Sequence, residues 1–242
     1  MIQSYKIADH VFSVESIYPD VHKYCRDYRT DEPAEFDLHV TPEDIEYERV
    51  LSTKEKTFPD GYLEELAVYR KIAELAPSFN TFLFHGSCVA VDGKGYLFTA
   101  RSGIGKSTHA KLWCDLFSDR AVMVNDDKPL IRVEENGVFI YGTPYNGKHR
   151  RGSNLRVPLE AICLLSRGKE NHIERITGKK AYPVLFAQTY RSQDPMVLQK
   201  TLTLLDGMLS HVRLYELKCN TKIEAAKTAY EGINGQNASM DQ

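Results

Sequence analysis

One glycine-rich stretch constrains this chain more than any other part of the sequence. The residues YLFTARSGIGKSTHAKLW, positions 96–113, contain an apolar strand pattern, a turn with Gly103 and Gly105, and a helical pattern. Glycines let successive backbone N–H groups converge on a phosphate, and a helix N-terminus adds partial positive charge. Lys106 can neutralise phosphate oxygens, and Ser107 can ligate a bridging Mg²⁺. The residues predicted to bind a nucleotide here are Ser102, Gly103, Ile104, Gly105, Lys106, Ser107 and Thr108.

The composition is that of an ordinary globular protein, and it argues against several classes of partner. Of 242 residues, 42% are hydrophobic and 26% are charged, and 31 basic residues nearly balance 33 acidic ones. This balance does not favour a nucleic-acid surface or a polybasic membrane patch. No apolar run approaches the ~20 residues of a membrane span, and the start of the chain lacks a signal-peptide pattern. We therefore expect a cytoplasmic protein.

The cysteines give no sign of a metal site or a disulfide framework. There are five, no two of them in a C-x-x-C pair: Cys25, Cys88, Cys114, Cys163 and Cys219. An odd number at scattered positions predicts reduced thiols, most of them buried.

Strand and helix patterns alternate along the chain, with hairpins between some of the strands. Residues 1–80 combine strand-like and helical stretches, and one helix is predicted to start after Thr41, which offers a capping hydroxyl. Asp92-Gly93 predicts a hairpin just before the apolar strand that enters the glycine turn. We predict an α/β protein with a mixed-sheet core over 81–232, a small α+β region before it, and a flexible polar tail over 233–242.

Two adjacent carboxylates and one histidine are the candidate catalytic groups. Asp126 and Asp127 directly follow the strand AVMVN, and His85 precedes the hairpin that leads to the glycine turn. A hydroxyl is a poor nucleophile near neutral pH, so a carboxylate within hydrogen-bond reach can act as its general base. Paired aspartates after a strand also occur as turn or cap residues, and a lone histidine on a strand is often structural. These residues therefore have both a catalytic and a structural interpretation.

These landmarks occur together in a known family. The segments FHGSCVAVDGKGYLFTARSGIGKSTHAKLW and AVMVNDDKPLI resemble the catalytic C-terminal domain of HPr kinase/phosphorylase, with a His-Gly pair, a phosphate loop and a double aspartate in that order. The resemblance is strong over residues 81–131 and weaker to about residue 217. It is closer to HPr-kinase-like proteins that occur singly in bacteria, which share segments like YGTPYNGK. Residues 1–80 show no such likeness.

The resemblance implies a P-loop core of the HPr kinase and phosphoenolpyruvate carboxykinase type that uses ATP and Mg²⁺. It implies that Lys106 contacts the phosphates and that Ser107 and Asp126 ligate the metal. One of the two aspartates would be the base toward an acceptor serine, with Asp127 favoured and the order left open. His85 would lie close to the reacting phosphate.

The chain also departs from the family pattern. Ala100 and Arg101 stand where the family has Gly and Asp, and the magnesium-binding glutamate of its E-x-R-G segment has no clear counterpart. This puts a second metal contact and the reverse phosphorylase reaction in doubt. The chain instead reads FIYGTPYNGKHRRGSN, whose Lys148 and Arg150 are predicted to stabilise charge at the γ-phosphate, although such a cluster is commonly solvated surface.

The resulting hypothesis is an ATP-dependent kinase that phosphorylates a hydroxyl, most readily a serine of a small protein or peptide. Two alternatives stay open: a small-metabolite kinase on the same core, and a non-catalytic ATP sensor, which would not need to retain the aspartates.

Residues 1–80 could bind the acceptor, and HPr itself is not expected to be the acceptor. Neither nucleic acid nor a membrane is expected as a partner, and a homo-oligomer is left open. Trp113 and Tyr145 could stack on a base, but core packing is favoured.

Overall fold

The chain divides into two units, Met1–Ala76 and Pro77–Gln242. The computed structural model describes residues 1–52 and 57–235. A 3-10 helix, Ala76–Phe79, lies at the division. Of the predicted tail over 233–242, positions 236–242 lie outside the described residues.

The first unit is a small three-stranded sheet with helices. Its elements are β1 (Ile2–Ile7), β2 (His10–Glu15), α1 (Asp20–Tyr24), a 3-10 helix (Arg26–Tyr28), β3 (Phe36–His39), α2 (Pro42–Leu51) and α3 (Asp60–Leu75). β1 and β2 pair antiparallel, and β3 pairs with β2 in parallel. α2 starts where the sequence predicts, because Thr41 and Asp44 form a capping box in which each side chain accepts the other residue's backbone N–H.

The second unit is built on a nine-stranded sheet. Its elements are β4 (Thr81–Leu83), β5 (Ser87–Val91), β6 (Lys94–Thr99), α4 (Lys106–Phe117), a 3-10 helix (Ser118–Arg120), β7 (Ala121–Asn125), β8 (Leu130–Glu134), β9 (Gly137–Tyr141), β10 (Arg156–Arg167), β11 (His172–Arg175), α5 (Gly178–Gln188), α6 (Pro195–His211), β12 (Arg213–Cys219) and α7 (Ile223–Asn234). The strand order is β4-β8-β9-β10-β6-β5-β7, with β12 beside β10 and β11 beside β12. Parallel and antiparallel pairs occur together, so the predicted mixed α/β core is confirmed.

The strand directions bring the carboxyl ends of the strands around the glycine turn to one edge of this sheet. β6 and β12 both run parallel to β10. β5 is antiparallel to both β6 and β7, so β7 runs in the same direction as β6. The carboxyl ends of β6, β7, β10 and β12 therefore lie at the same edge, which is where α/β sheets bind their ligands.

Alternate residues of the central strands face two separate hydrophobic clusters. On one face Leu97 packs with residues of α5 and α6, and on the other Tyr96 and Phe98 pack with residues of α4 and α7. The predicted hairpin before β6 is present, and Asp92 and Gly93 take the positive φ angles, 50° and 79°, that a tight two-residue turn requires. None of the described helices combines the length and the apolarity that a membrane crossing needs.

Candidate active site

The predicted phosphate loop, residues 100–105, lies between the end of β6 and the first residue of α4. Gly103 and Gly105 have φ angles of 78° and 120°, in the region that side chains with a Cβ rarely adopt. Gly105 is the residue before the helix, and no side chain in the described ranges caps it. The first backbone N–H groups of α4 are thus left for a ligand, as in other helix N-termini that bind anions.

Lys106 is the first residue of α4, and its ammonium group turns back toward the loop. Its Nζ donates a hydrogen bond to the carbonyl of Ala100 at 3.3 Å. Burial lowers the pKa of Lys106, and the charges of Asp127 and Asp126 oppose that effect. The ammonium group therefore bonds to the end of the strand before the glycine turn and lies within range of the charges of both aspartates.

Asp126 is a buried carboxylate that the protein leaves incompletely satisfied. The residue is 6% exposed, and its Oδ1 has no hydrogen-bond partner within the part of the chain that the structure describes. Burial raises the pKa of Asp126, while interactions with the hydroxyls of Ser87 and Ser107 lower it. A buried oxygen without a partner costs folding free energy, so its presence indicates a site that a ligand can complete.

Asp127 is more accessible and lies beside His85. Its Oδ1 is 3.4 Å from Nε2 of His85, and about a third of each side chain is exposed, 38% for His85 and 32% for Asp127. Burial, followed by the charge of Lys106, lowers the pKa of His85. The ring is therefore neutral at neutral pH.

Asn125 fixes the turn that carries both aspartates, a role that the sequence analysis did not identify. Its fully buried side chain accepts hydrogen bonds through Oδ1 from the backbone N–H groups of Asp127 and Lys128, at 2.9 and 2.8 Å. Its Nδ2 donates to Oγ1 and to the carbonyl oxygen of Thr143, at 2.9 and 3.2 Å. One amide thereby connects the aspartate turn to the segment after β9.

The segment 142–152 packs closely against this turn. A Cβ on Gly142 would lie 1.8 Å from the carbonyl oxygen of Ser153, so only glycine fits there. Gly147 has a φ angle of 76°, and a Cβ on it would lie 3.2 Å from Cβ of Asp127. This approach places Lys148 and His149 beside the aspartates.

One cavity of about 510 Å³ collects most of the predicted site residues. It is lined by His85, Ser102, Gly103, Gly105, Lys106, Ser107, Thr108, Asp126, Asp127, Gly147, Lys148 and His149. Two predicted residues are not among these. Ile104 lines a neighbouring cavity, and Arg150 lies outside the lining, in a turn where its N–H donates to the carbonyl of Gly147 at 3.1 Å. Gly147 and His149 were not predicted, although both belong to the noted segment FIYGTPYNGKHRRGSN.

The oxygen donors of the cavity fit a magnesium ion that arrives with phosphate. Within residues 1–52 and 57–235, no group of three or more His, Cys, Asp or Glu side chains could hold a metal by itself. Mg²⁺ keeps several waters and is usually bound by one or two protein oxygens together with phosphates. The unpartnered Oδ1 of Asp126 and the hydroxyl of Ser107 are ligands of this kind.

Two aromatic residues near the site, Trp113 and Tyr145, belong to the core. Trp113 is fully buried, with its ring centroid 4.7 Å from that of Tyr96, and Tyr145 is 4% exposed. Core packing, the favoured prediction for both, is therefore confirmed.

All five cysteines are free, three buried and two partly buried.

Comparisons with known proteins assign this chain to no family. No family model matches it, and no curated protein matches it. Among solved structures, one similar chain is the Hpr(Ser) kinase/phosphatase from Coxiella burnetii, with a TM-score of 0.37 and 11% sequence identity over 66% of this chain and 99% of that one. A likeness at this level is too low to establish a shared fold or activity.

Proposed function

We propose that this chain is an ATP-dependent kinase that transfers the γ-phosphate to a hydroxyl group. The observation that carries the proposal is the single cavity in which a helix N-terminus, Lys106 and the two aspartates face one another. The N–H groups of the loop and the lysine can bind the phosphates of the donor, and Asp127 can accept the proton of the acceptor hydroxyl. A pure ATP-binding module would not need a second carboxylate, Asp127, to act as a base toward an acceptor.

Each group has a distinct task in the transfer. The N–H groups of the loop and the Nζ of Lys106 bind the β- and γ-phosphates. Asp126 and Ser107 would hold Mg²⁺, which would supply positive charge that neutralises these phosphates. Asp127 accepts the proton of the acceptor hydroxyl while that oxygen forms a bond to the γ-phosphorus. The bond between the γ-phosphorus and the bridging oxygen breaks, and ADP leaves. His85 orients Asp127, and Lys148 stabilises the charge that develops on the transferred group.

We further propose a serine of a small protein or peptide as the acceptor. The support for this class is the resemblance of the sequence motifs to HPr-kinase-like proteins, together with the polar lining of the cavity around Asp127. The cationic Lys148 at the same cavity would favour an acceptor with acidic groups near the hydroxyl.

The test is transfer of label from γ-labelled ATP to proteins and metabolites of a bacterial lysate, followed by identification of the labelled species. Lys106→Ala should abolish both the transfer and the stabilisation of the protein by Mg-ATP, because it removes the cation on the phosphates. Lys111→Ala is the matched control, since Lys111 is an exposed residue of the same helix that pairs with Asp115. A wild-type protein that does not bind Mg-ATP would overturn the proposal, as would transfer that survives Lys106→Ala.

A further inference from the structure

A second cavity, of about 370 Å³, lies against the same phosphate loop. Its lining shares Gly103, Gly105 and Thr108 with the first cavity, so the loop forms a wall of both. Ile104 of the loop also lines it, and the other lining residues come from α4 and from the ends of β10 and β12: His109, Leu112, Leu165, Ser166, Arg167, Gly168, Cys219, Asn220 and Thr221. A ligand bound along the loop can therefore reach into both cavities.

The position of this cavity follows from the strand order. β10 pairs with both β6 and β12, and Arg167 is opposite Cys219 at the last position of the parallel pair. The second cavity thus lies over the carboxyl ends of β10 and β12, while the aspartates follow β7, on the other side of β6. Crevices at the carboxyl ends of parallel strands are the usual ligand sites of α/β sheets.

The two cavities differ in chemistry. The first has two carboxylates and two lysines in its lining. Among the described residues of the second, no acidic side chain occurs and Arg167 is the one that is always charged, while Ile104, Leu112 and Leu165 supply apolar surface. The buried ring of His109 adds no charge, because burial lowers its pKa to about 4 and its Nε2 accepts a hydrogen bond from Trp113 at 3.1 Å. Such a lining suits an uncharged ring system with a polar edge.

The walls of the second cavity are held in place by hydrogen bonds. Arg167 donates from Nη2 to the carbonyl of Gly103 at 2.5 Å, which connects the end of β10 to the phosphate loop. Asn220 accepts through Oδ1 from the N–H of Lys222 at 3.0 Å and donates through Nδ2 to the carbonyl of Lys169 at 3.1 Å. A pocket with fixed walls loses little conformational entropy when a ligand enters.

We infer that the second cavity receives the base and ribose of the nucleoside triphosphate. The triphosphate then crosses the loop between Thr108 and Lys106, and its γ-phosphate points at Asp127 in the first cavity. This inference rests on the proposed function and adds the orientation of the donor and the residues that contact its nucleoside: Leu112 and Leu165 pack on the base, and Thr221 lies at the rim.

The test compares ATP with inorganic triphosphate, which has the same phosphates but no nucleoside, each titrated with Mg²⁺ into the full-length chain. Leu112→Trp should fill the second cavity, weaken ATP binding by about tenfold or more, and leave the affinity for triphosphate unchanged. Thr221→Trp is the second variant, at an exposed position that does not risk the fold. Lys111→Trp, next to Leu112 on the same helix and outside both linings, is the matched control and should change neither affinity.

The outcomes separate this inference from the proposed function. Selective loss of ATP affinity in Leu112→Trp or Thr221→Trp supports the inference. Unchanged ATP affinity in folded Thr221→Trp and Leu112→Trp places the nucleoside elsewhere and overturns the inference while leaving the kinase proposal intact. Equal loss of ATP and triphosphate affinity means that the variants disturb the loop instead and also counts against the inference. A wild-type chain that binds neither ligand overturns the proposed function itself.

Discussion

The two units of this protein differ in how completely a buried carboxylate is hydrogen-bonded. In Met1–Ala76, Glu64 is fully buried, and its two carboxylate oxygens accept the backbone N–H groups of Ile17 and Tyr18 at 2.5 and 2.9 Å. In the second unit, Asp126 is almost as buried, yet its Oδ1 has no partner among the described residues. The backbone completes the hydrogen bonding of one carboxylate, and the other is left incomplete beside the predicted phosphate loop.

Under the proposed function, this difference separates a structural acid, Glu64, from a functional one, Asp126. A buried carboxylate that accepts two N–H groups stabilises the turn that supplies them, and its loss leaves buried donors unpaired. A buried carboxylate with an open oxygen destabilises the ligand-free fold, and such groups are concentrated at functional sites. Removing the first should affect stability, and removing the second should affect ligand binding or turnover.

The largest expected effect tests whether the acids beside the predicted phosphate loop are functional, and it concerns Asp127, the neighbour of Asp126. Asp127→Asn keeps the size of the side chain and removes the proton acceptor, so turnover should fall by about 10²- to 10⁴-fold. ATP affinity should change far less, because the loop and Lys106 remain. Steady-state kinetics and ATP titration measure the two effects, with exposed Asp115→Asn as the control.

If Asp126→Asn slows turnover and leaves ATP affinity nearly unchanged instead, the roles of Asp126 and Asp127 are exchanged. If neither variant slows transfer, the kinase proposal fails.

The structural side is tested by Glu64→Gln. The amide of glutamine can accept only one of the two N–H groups and presents a donor to the other, so the free energy of unfolding should fall by about 1–3 kcal/mol. Urea denaturation measures this change. Glu46→Gln, which removes an exposed partner of Arg49, should cost under about 1 kcal/mol. Equal effects of the two substitutions would contradict the structural role of Glu64.

The buried ring of His109 lies beside the loop, but unlike Asp126 it is hydrogen-bonded within the protein. Its role can be tested by the pH dependence of the free energy of unfolding. Its folded pKa is about 4, below the ordinary 6.5, so the unfolded chain binds a proton first as the pH falls. The stability that neutral His109 contributes is thus fully present above about pH 6.5 and is lost progressively toward pH 4. Between pH 6 and pH 5 the wild type should lose about 1 kcal/mol more than His109→Gln. Parallel stability profiles in urea would contradict a neutral buried ring.

The smallest expected effect concerns the stability of Asp126→Asn. Removal of a poorly satisfied buried charge should leave the free energy of unfolding of the ligand-free protein unchanged at pH 7, or raise it by less than about 1 kcal/mol. The same variant should lose the Mg²⁺-dependent part of its stabilisation by ATP. A loss of stability as large as that of Glu64→Gln, with Mg-ATP binding intact, would place Asp126 among the structural acids.

The sequence predicted the parts of the fold that depend on neighbouring residues. The capping box at Thr41, the turn at Asp92-Gly93 and the strand-turn-helix around Gly103 and Gly105 depend on local hydrogen bonds and on the φ angles that glycine permits. Helix α1 and strand β11 were not predicted, since both are short and lack a periodic apolar pattern.

What the sequence by itself determined is the set of chemical groups: a glycine-rich turn followed by Lys106 and Ser107, and two aspartates at the end of an apolar strand. The tertiary structure alone decided which distant residues complete the site. It connected Asn125 to Thr143, brought Gly147 against Asp127, left Arg150 outside the cavity, and opened a second cavity over β10 and β12. The physical reason is that these contacts join segments far apart in the chain, and strand order, which no local pattern encodes, determines which strand ends become neighbours.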